Sequence, residues 1–237
     1  MATYVLVHGA WHGGWCWRQV TPRLRAAGHE VHVPTLTGLG ERAHLLAREV
    51  GLDTHIEDVV ATMRGEDIGR SILVGHSYGG MVISGVADRV PEQLARLVYL
   101  DAFVPDDGQS VMDLAPPEVR DAHLAAARER GEGWRVPVPP LAIWGVTDPA
   151  HLAWVEPRVG PHPLRTMTDR IRLSNPARQR IPRTFVSCTV QQRGAFVAAA
   201  AKVRAQGGWD CREIAAPHDA MIVAPEALAA LLLDLAG

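Results

Sequence analysis

The sequence has few cysteines, no long apolar run and no excess of one charge sign. Its 237 residues include three cysteines and no CxxC pair, which gives no sign of a disulfide framework or a zinc knuckle. No apolar run approaches the roughly 18 residues needed to cross a bilayer. The formal net charge of -2, with acids and bases interspersed, offers no field that would attract nucleic acid or anionic lipid. We therefore expect neither nucleic-acid nor membrane partners.

The sequence also lacks room for an export signal. The first strand-like run, Tyr4 to Val7, begins almost at the initiator methionine, before a basic stretch, apolar segment and cleavage site would fit. We therefore expect a cytoplasmic protein. Hydrophobic residues make up 47% of the chain, which suits one domain with a modest insertion. Nothing in the sequence indicates an oligomeric state.

Short β-branched runs alternate with helical stretches along most of the chain. The predicted strands are Tyr4–Val7, Glu30–Val33, Ser71–Val74, Leu97–Leu100, Thr184–Cys188 and Cys211–Ile214. The predicted helices are Trp17–Ala27, Thr54–Arg64, Tyr78–Arg89, Gly194–Gln206 and Pro225–Leu235. This alternation predicts a parallel sheet with helices on both faces, and ligands then bind beyond the carboxyl ends of its strands.

One interval, residues 105–182, interrupts the alternation. It contains many prolines, short helical patches and no convincing strand, and it is too long for a simple crossover. We interpret residues 105–182 as a cap or lid insertion, here called the cap segment. Residues 1–104 and 183–237 then form the core.

The run from Ser71 to Gly80, SILVGHSYGG, combines a buried strand, the pattern GxSxG and an immediate helix start. Such a tight turn holds a serine in strained backbone angles and projects its hydroxyl from the sheet. The glycines at 75 and 79 avoid side-chain collisions around it. Ser77 is therefore the candidate nucleophile.

The loop after the first strand reads HGAWHGGW over residues 8–15, and its glycines let main-chain amides turn toward a ligand. The N–H groups of Ala10 and Tyr78 are the candidates for an oxyanion hole. His8 and His12 have a spacing that would also suit a shared metal ion. No third ligand stands nearby in the sequence, and we expect no metal and no other cofactor.

His218 lies in the loop after the last predicted strand, in the run APHDAM that leads into the terminal helix. An imidazole at that place can take the Ser77 proton during attack and return it to the leaving alkoxide. His218 is therefore the candidate general base.

The motifs HGAWHGGWCW, GHSYGG and PHDAM together resemble the plant methylesterase and hydroxynitrile lyase branch of the α/β hydrolases and its bacterial esterase relatives. The resemblance spans nearly the whole chain and implies the α/β-hydrolase fold, a mostly parallel sheet flanked by helices with a cap insertion. It also implies a serine hydrolase that uses a catalytic triad.

The sequence departs from this branch at the acid. In the branch the acid usually follows the strand before the histidine, where this chain has Gln191, and no Asp or Glu occurs from residue 170 to residue 209. Asp101 stands at the end of the strand after the nucleophile helix, as in some lipases of this fold, and could orient His218. Asp101 is therefore the preferred acid of the triad. Its alternative role is to cap the turn that follows it. Asp219 is a less favoured candidate for the acid.

The resemblance leaves several activities open. The preferred one is hydrolysis of a carboxylic ester with an apolar or aromatic moiety, through an acyl-enzyme on Ser77. The lyases of the branch tend to carry Thr and Lys at the positions that Ala10 and Asp219 occupy here, which disfavours lyase activity. A pathway enzyme acting on a lactone or polycyclic intermediate and a ligand-binding receptor are further alternatives. The candidate pocket residues are Trp11, Phe103, Trp134, Trp144 and Trp154.

Overall fold

A computed structural model of the chain describes residues 1–236. The strands in chain order are β1 Thr3–Val7, β2 Glu30–His32, β3 Ser71–His76, β4 Leu94–Leu100, β5 Arg135–Val136, β6 His162–Pro163, β7 Arg183–Cys188 and β8 Trp209–Ile214. The α-helices are α1 Thr21–Ala26, α2 Leu52–Gly65, α3 Gly79–Arg89, α4 Val111–Leu114, α5 Pro117–Arg130, α6 Pro149–Val155, α7 Leu164–Thr168, α8 Gly194–Gln206, α9 Ala220–Val223 and α10 Pro225–Asp234. Short 3₁₀-helices cover Gly14–Trp17, Gly40–Leu45, Pro91–Gln93, Leu141–Trp144 and Pro176–Arg180.

Six strands form one sheet in the order β2-β1-β3-β4-β7-β8, and each neighbouring pair is parallel. The central strand β3 is buried at all six positions, as expected for a strand covered by helices on both faces. Helix α3 follows it directly and is buried from Gly79 to Ala87. The predicted α/β fold with its mostly parallel sheet is confirmed.

Apart from shifts of up to three residues at the ends of elements, the predicted and observed elements differ in two places. The first helix, expected over 17–27, begins at Thr21, because Trp17 ends a separate 3₁₀-helix and Pro22 suits the first turn of an α-helix. The cap segment, expected to lack strands, contains β5 and β6, which pair antiparallel. Two-residue strands are too short to show an alternating pattern in the sequence.

The cap segment lies over the loop that follows β1. The indole of Trp11 donates a hydrogen bond to the Val136 carbonyl at 3.0 Å, and the Gly160 amide donates to the Trp11 carbonyl at 3.1 Å. The Trp11 amide donates to Nδ1 of His162 at 3.3 Å. These contacts place β5 and β6 above the carboxyl ends of the core strands. The division into a core of residues 1–104 and 183–237 and a separate cap stays a prediction.

No helix within residues 1–236 has both the length and the apolar character needed to cross a lipid bilayer.

The glycine before the nucleophile turn yields a stability prediction. A Cβ added at Gly75 would lie 2.6 Å from the carbonyl oxygen of Gly79, a backbone atom that cannot move alone. We expect Gly75→Ala to lower the free energy of unfolding by about 1–3 kcal/mol, the usual cost of overpacking a core. Urea unfolding followed by circular dichroism measures the change.

The matched control is Gly65→Ala, since a Cβ at this exposed last residue of α2 has no neighbour within 4 Å. It should leave the stability unchanged or raise it slightly, because alanine has the higher helix propensity. Equal effects of the two substitutions would contradict the proposed crowding at Gly75.

Candidate active site

Ser77 occupies the sharp turn between β3 and α3. Its φ angle is 54°, in the left-handed region that residues other than glycine rarely adopt. The Ser77 amide donates to the Leu100 carbonyl at 3.2 Å, and the Ser77 carbonyl accepts from the Phe103 amide at 3.1 Å. Backbone bonds on both sides thus hold the turn, and the side chain lines a cavity at the carboxyl end of the sheet.

Asp101 and His218 meet beneath this turn. Asp101 follows β4 directly, and its Oδ2 lies 2.6 Å from Nδ1 of His218, with both side chains buried. The Cys188 amide donates to Asp101 Oδ1 at 3.3 Å, so both carboxylate oxygens have partners. A carboxylate so placed fixes which ring nitrogen of the imidazole carries the proton and leaves Nε2 as the acceptor.

The His218 ring lies close to the nucleophile turn. It stacks on Phe196 with ring centroids 4.7 Å apart, and Phe196 lines the same cavity as Ser77. On another side it packs against His76, the residue before Ser77, at 4.5 Å. No hydrogen bond joins the Ser77 hydroxyl to His218 among residues 1–236, and in substrate-free structures this bond is often long or poorly aligned.

Gln191, at the position where related enzymes usually carry the acid, is exposed to solvent. The amide oxygen of its side chain lies near Gly145 rather than at the His218 ring. The structure thus brings Asp101, and not the segment after β7, to the imidazole.

The two candidate oxyanion donors face the same cavity as Ser77. Ala10 and Tyr78 both line it, and within the described chain neither main-chain N–H has an acceptor. Tyr78 stands directly before α3, so its amide also feels the positive end of the helix dipole. The Tyr78 phenol points elsewhere and bonds Nδ1 of His55 at 2.9 Å. Burial raises the pKa of this phenol, which therefore stays neutral.

A second buried network supports the loop that carries His218. Asp219 Oδ2 lies 3.2 Å from Nε2 of His12, whose Nδ1 faces the Ala10 carbonyl at 2.8 Å. Nε2 of His76 donates to the His218 carbonyl at 3.0 Å. Burial alone would lower the pKa of His12, but the charge of Asp219 and its hydrogen bond outweigh burial and raise it. The raised pKa favours the cationic form of His12 beside the Asp219 carboxylate.

The histidines considered as metal ligands are engaged within the protein. Nδ1 of His8 faces the Gly9 carbonyl and its Nε2 accepts from the Leu36 amide, while both ring nitrogens of His12 are engaged as described above. Burial lowers the pKa of His8 to about 3, so that ring is neutral. Neither ring has a nitrogen lone pair directed at a shared ion.

The cavity at Ser77 is small and mainly apolar, with a volume of about 70 Å³. Of the aromatic side chains expected there, Trp11, Phe103 and Trp144 line it. Trp134 and Trp154 do not, which corrects the expectation that they do. Arg48 and Arg135 pack on the ring of Trp134, and Trp154 packs against Trp15.

Sequence reasoning missed other side chains of the cavity wall. Phe196, His123 and Arg193 line the cavity, together with aliphatic residues of the cap segment such as Val119. Phe196 and Arg193 follow Gln191, the residue at the usual acid position, by only a few residues. This closeness in the sequence is the signal that could have identified them as cavity residues. His123 lies within a helix of polar and apolar residues without a distinguishing pattern, so no sequence feature pointed to it.

A parallel sheet with a serine on a strand-to-helix turn, facing a carboxylate–imidazole pair, defines the class of α/β hydrolases. Residues 4–231 match the alpha/beta hydrolase family. The chain belongs to this family.

Relatives and solved structures agree with this assignment. The carbendazim hydrolyzing esterase of Nocardioides sp. (strain SG-4G) is 41% identical over 243 aligned residues, which cover 99% of this chain and 100% of that protein. Methyl jasmonate esterase 1 of Vitis vinifera is 37% identical over 103 residues, 43% of this chain and 40% of that protein. An extracellular alpha/beta-hydrolase from a Paenibacillus species superposes with a TM-score of 0.87 at 25% identity, covering 99% of this chain and 98% of that one.

These relatives confirm the prediction of a carboxylesterase-type hydrolase in the branch that contains plant methylesterases and bacterial esterases. An alpha-hydroxynitrile lyase of Arabidopsis thaliana is also similar, at 36% identity over 44% of this chain.

The His12–Asp219 pair predicts a pH-dependent loss of stability. His12→Gln leaves the Asp219 carboxylate buried without a cation, so we expect the free energy of unfolding to fall by roughly 3–5 kcal/mol at low pH. The pKa of His12 is raised in the folded state. The stabilisation that protonated His12 provides is therefore complete below the pKa of the unfolded state, about 6.5, and is lost as the pH rises through the pKa of the folded state. The difference in the free energy of unfolding between wild type and variant, here called the stability gap, should therefore narrow with rising pH.

Urea unfolding at a series of pH values above and below about 6.5 measures that gap. His44→Gln, at an exposed histidine, is the matched control and should leave stability unchanged at each pH. A gap that stays constant or widens as the pH rises would show that His12 carries no proton for Asp219.

Proposed function

We propose that this chain hydrolyses carboxylic esters with an apolar or aromatic moiety, through an acyl-enzyme on Ser77. The observation that carries the proposal is the 2.6 Å contact between the buried Asp101 carboxylate and the His218 imidazole, beside a serine in a strained turn. This arrangement suits a nucleophile, a base and an orienting acid.

The proposed cycle follows from the proton positions. His218 Nε2 takes the Ser77 proton as the hydroxyl attacks the ester carbonyl, and the amides of Ala10 and Tyr78 hold the resulting oxyanion. His218 then protonates the leaving alkoxide. Asp101 stabilises the imidazolium during both steps. A water molecule activated by the same imidazole hydrolyses the acyl-enzyme.

The substrate class follows from the cavity wall. Trp11, Phe103 and Trp144 offer aromatic surface to an apolar group beside Ser77. Cavities that hold drug-sized ligands typically measure about 300–1,000 Å³, several times the roughly 70 Å³ present here. We propose that residues 105–182 move outward to admit an aromatic ester.

The expected partner is a small-molecule ester, with no nucleic acid, membrane, metal or other cofactor involved, and a cytoplasmic location belongs to the same proposal. Cys16, Cys188 and Cys211 are free thiols in the described residues, which agrees with a reducing compartment. Lyase activity is disfavoured because Asp219, a carboxylate paired with His12, stands where the lyases carry a cation.

Ester turnover that depends on Ser77 tests the proposal. We expect the wild type to hydrolyse 4-nitrophenyl butyrate, and Ser77→Ala to lower kcat by at least about 10⁴-fold because the nucleophile is gone. Ser174→Ala, at an exposed serine, is the control. Methyl, aryl and lactone esters and carbendazim complete the panel. Binding of panel compounds without turnover would favour a receptor instead.

The acid assignment has its own test. We expect Asp101→Asn to lower kcat by about 10⁴-fold. The amide of the asparagine favours the wrong tautomer of the His218 ring and cannot stabilise the imidazolium that forms during catalysis. Gln191→Asp, at the exposed position after β7, should leave kcat near the wild-type value. A rate for Asp101→Asn within about tenfold of wild type would assign the acid to another group.

A further inference from the structure

Arg193 and His123 add polar groups to the largely apolar wall of the Ser77 cavity. Arg193 lies at the N-terminus of α8, and His123 lies on α5 of the cap segment; both line the cavity. The catalytic cycle described above uses neither of them. Arg193 comes from the core and His123 from the cap segment.

Arg193 is a half-buried cation without a protein partner. Among residues 1–236 its guanidinium forms neither an ion pair nor a hydrogen bond, whereas most arginines of the chain form one or the other. Burial lowers the pKa of Arg193, and the charges of Asp101 and Asp219 act in the opposite sense. Arg193 and Asp101 line a second, neighbouring cavity together, so the guanidinium lies in the region of the proposed triad acid. A half-buried guanidinium without a protein partner can donate hydrogen bonds to an acceptor that a ligand supplies.

His123 is the second side chain with unused hydrogen-bonding capacity. Its Nδ1 is buried and has no partner in the described part of the chain. The ring packs edge-on against Trp11 with centroids 5.5 Å apart, which fixes its orientation at the cavity wall. Burial, and then the nearby charge of Arg193, lower the pKa of His123, so the ring is neutral and can donate one hydrogen bond.

We propose that Arg193 and His123 form a polar subsite that selects esters with a second, neutral carbonyl oxygen in their non-scissile part. The guanidinium donates to that oxygen, and the His123 ring donates to it or to an adjacent heteroatom. A carboxylate fits less well, because the Asp101 charge lies nearby and the remaining wall is apolar and cannot solvate an anion. This inference rests on the proposed esterase function.

The test compares two esters that differ only in the second carbonyl, 4-nitrophenyl 5-oxohexanoate and 4-nitrophenyl hexanoate. We expect the wild type to prefer the oxo ester about tenfold in kcat/KM, mainly through a lower KM, because the subsite binds substrate and transition state alike. Arg193→Met retains the length of the side chain and removes its hydrogen-bond donors. It should reduce the ratio of kcat/KM for the oxo ester to kcat/KM for the hexanoate ester to about one. His123→Phe should reduce it in part.

Arg204→Met removes an exposed arginine from the same helix, outside the Ser77 cavity, and should leave the preference unchanged. A merely structural role of Arg193 would lower kcat/KM for both esters by the same factor and keep their ratio, which would overturn the proposal. An equal rate for both esters in the wild type would also overturn it while leaving the esterase function intact. Failure to hydrolyse either ester would instead contradict the esterase function itself.

Discussion

The parallel register of three neighbouring strands places the proposed nucleophile beside the proposed acid. His76 at the end of β3 pairs with Leu100 at the end of β4, so Ser77 and Asp101 leave the sheet side by side. Leu100 pairs in turn with Val186 of β7, and the Asp101 amide donates to the Val186 carbonyl at 2.8 Å. A shift of one residue in either pairing would turn the serine or the aspartate to the other face of the sheet.

Backbone strain marks the same edge of the sheet. Trp11, Ser77, Asp101 and Gln191 all have positive φ angles between 42° and 64°, although none is glycine, and each follows the carboxyl end of a core strand. Such conformations cost of order 1–3 kcal/mol each and persist only where the surroundings enforce them. For Ser77 the enforcing contacts are the backbone bonds from Leu100 and Phe103; for Trp11 they come from the cap segment.

The sheet, its helices and the place of the nucleophile could be predicted because each depends on local pattern. The run SILVGHSYGG carries both a buried strand and its turn, so Ser77 was recognisable within ten residues. The pairing of Asp101 with His218 could be inferred only from the order of strand ends, since 117 positions separate them. The positions of Trp134 and Trp154 were not predictable, because tryptophan suits a cavity wall and a half-buried surface equally well. The His12–Asp219 pair joins residues 207 apart and left no sign in either local sequence.

An acid directly after β4, the role proposed for Asp101, would leave the loop after β7 without a catalytic residue. The loop from Gln191 to Arg193 borders the cavity through Arg193, yet the carboxylate that contacts His218 comes from a different strand. Under this proposal, substitutions, insertions or deletions in this loop would reshape substrate choice and leave the groups that transfer protons in place.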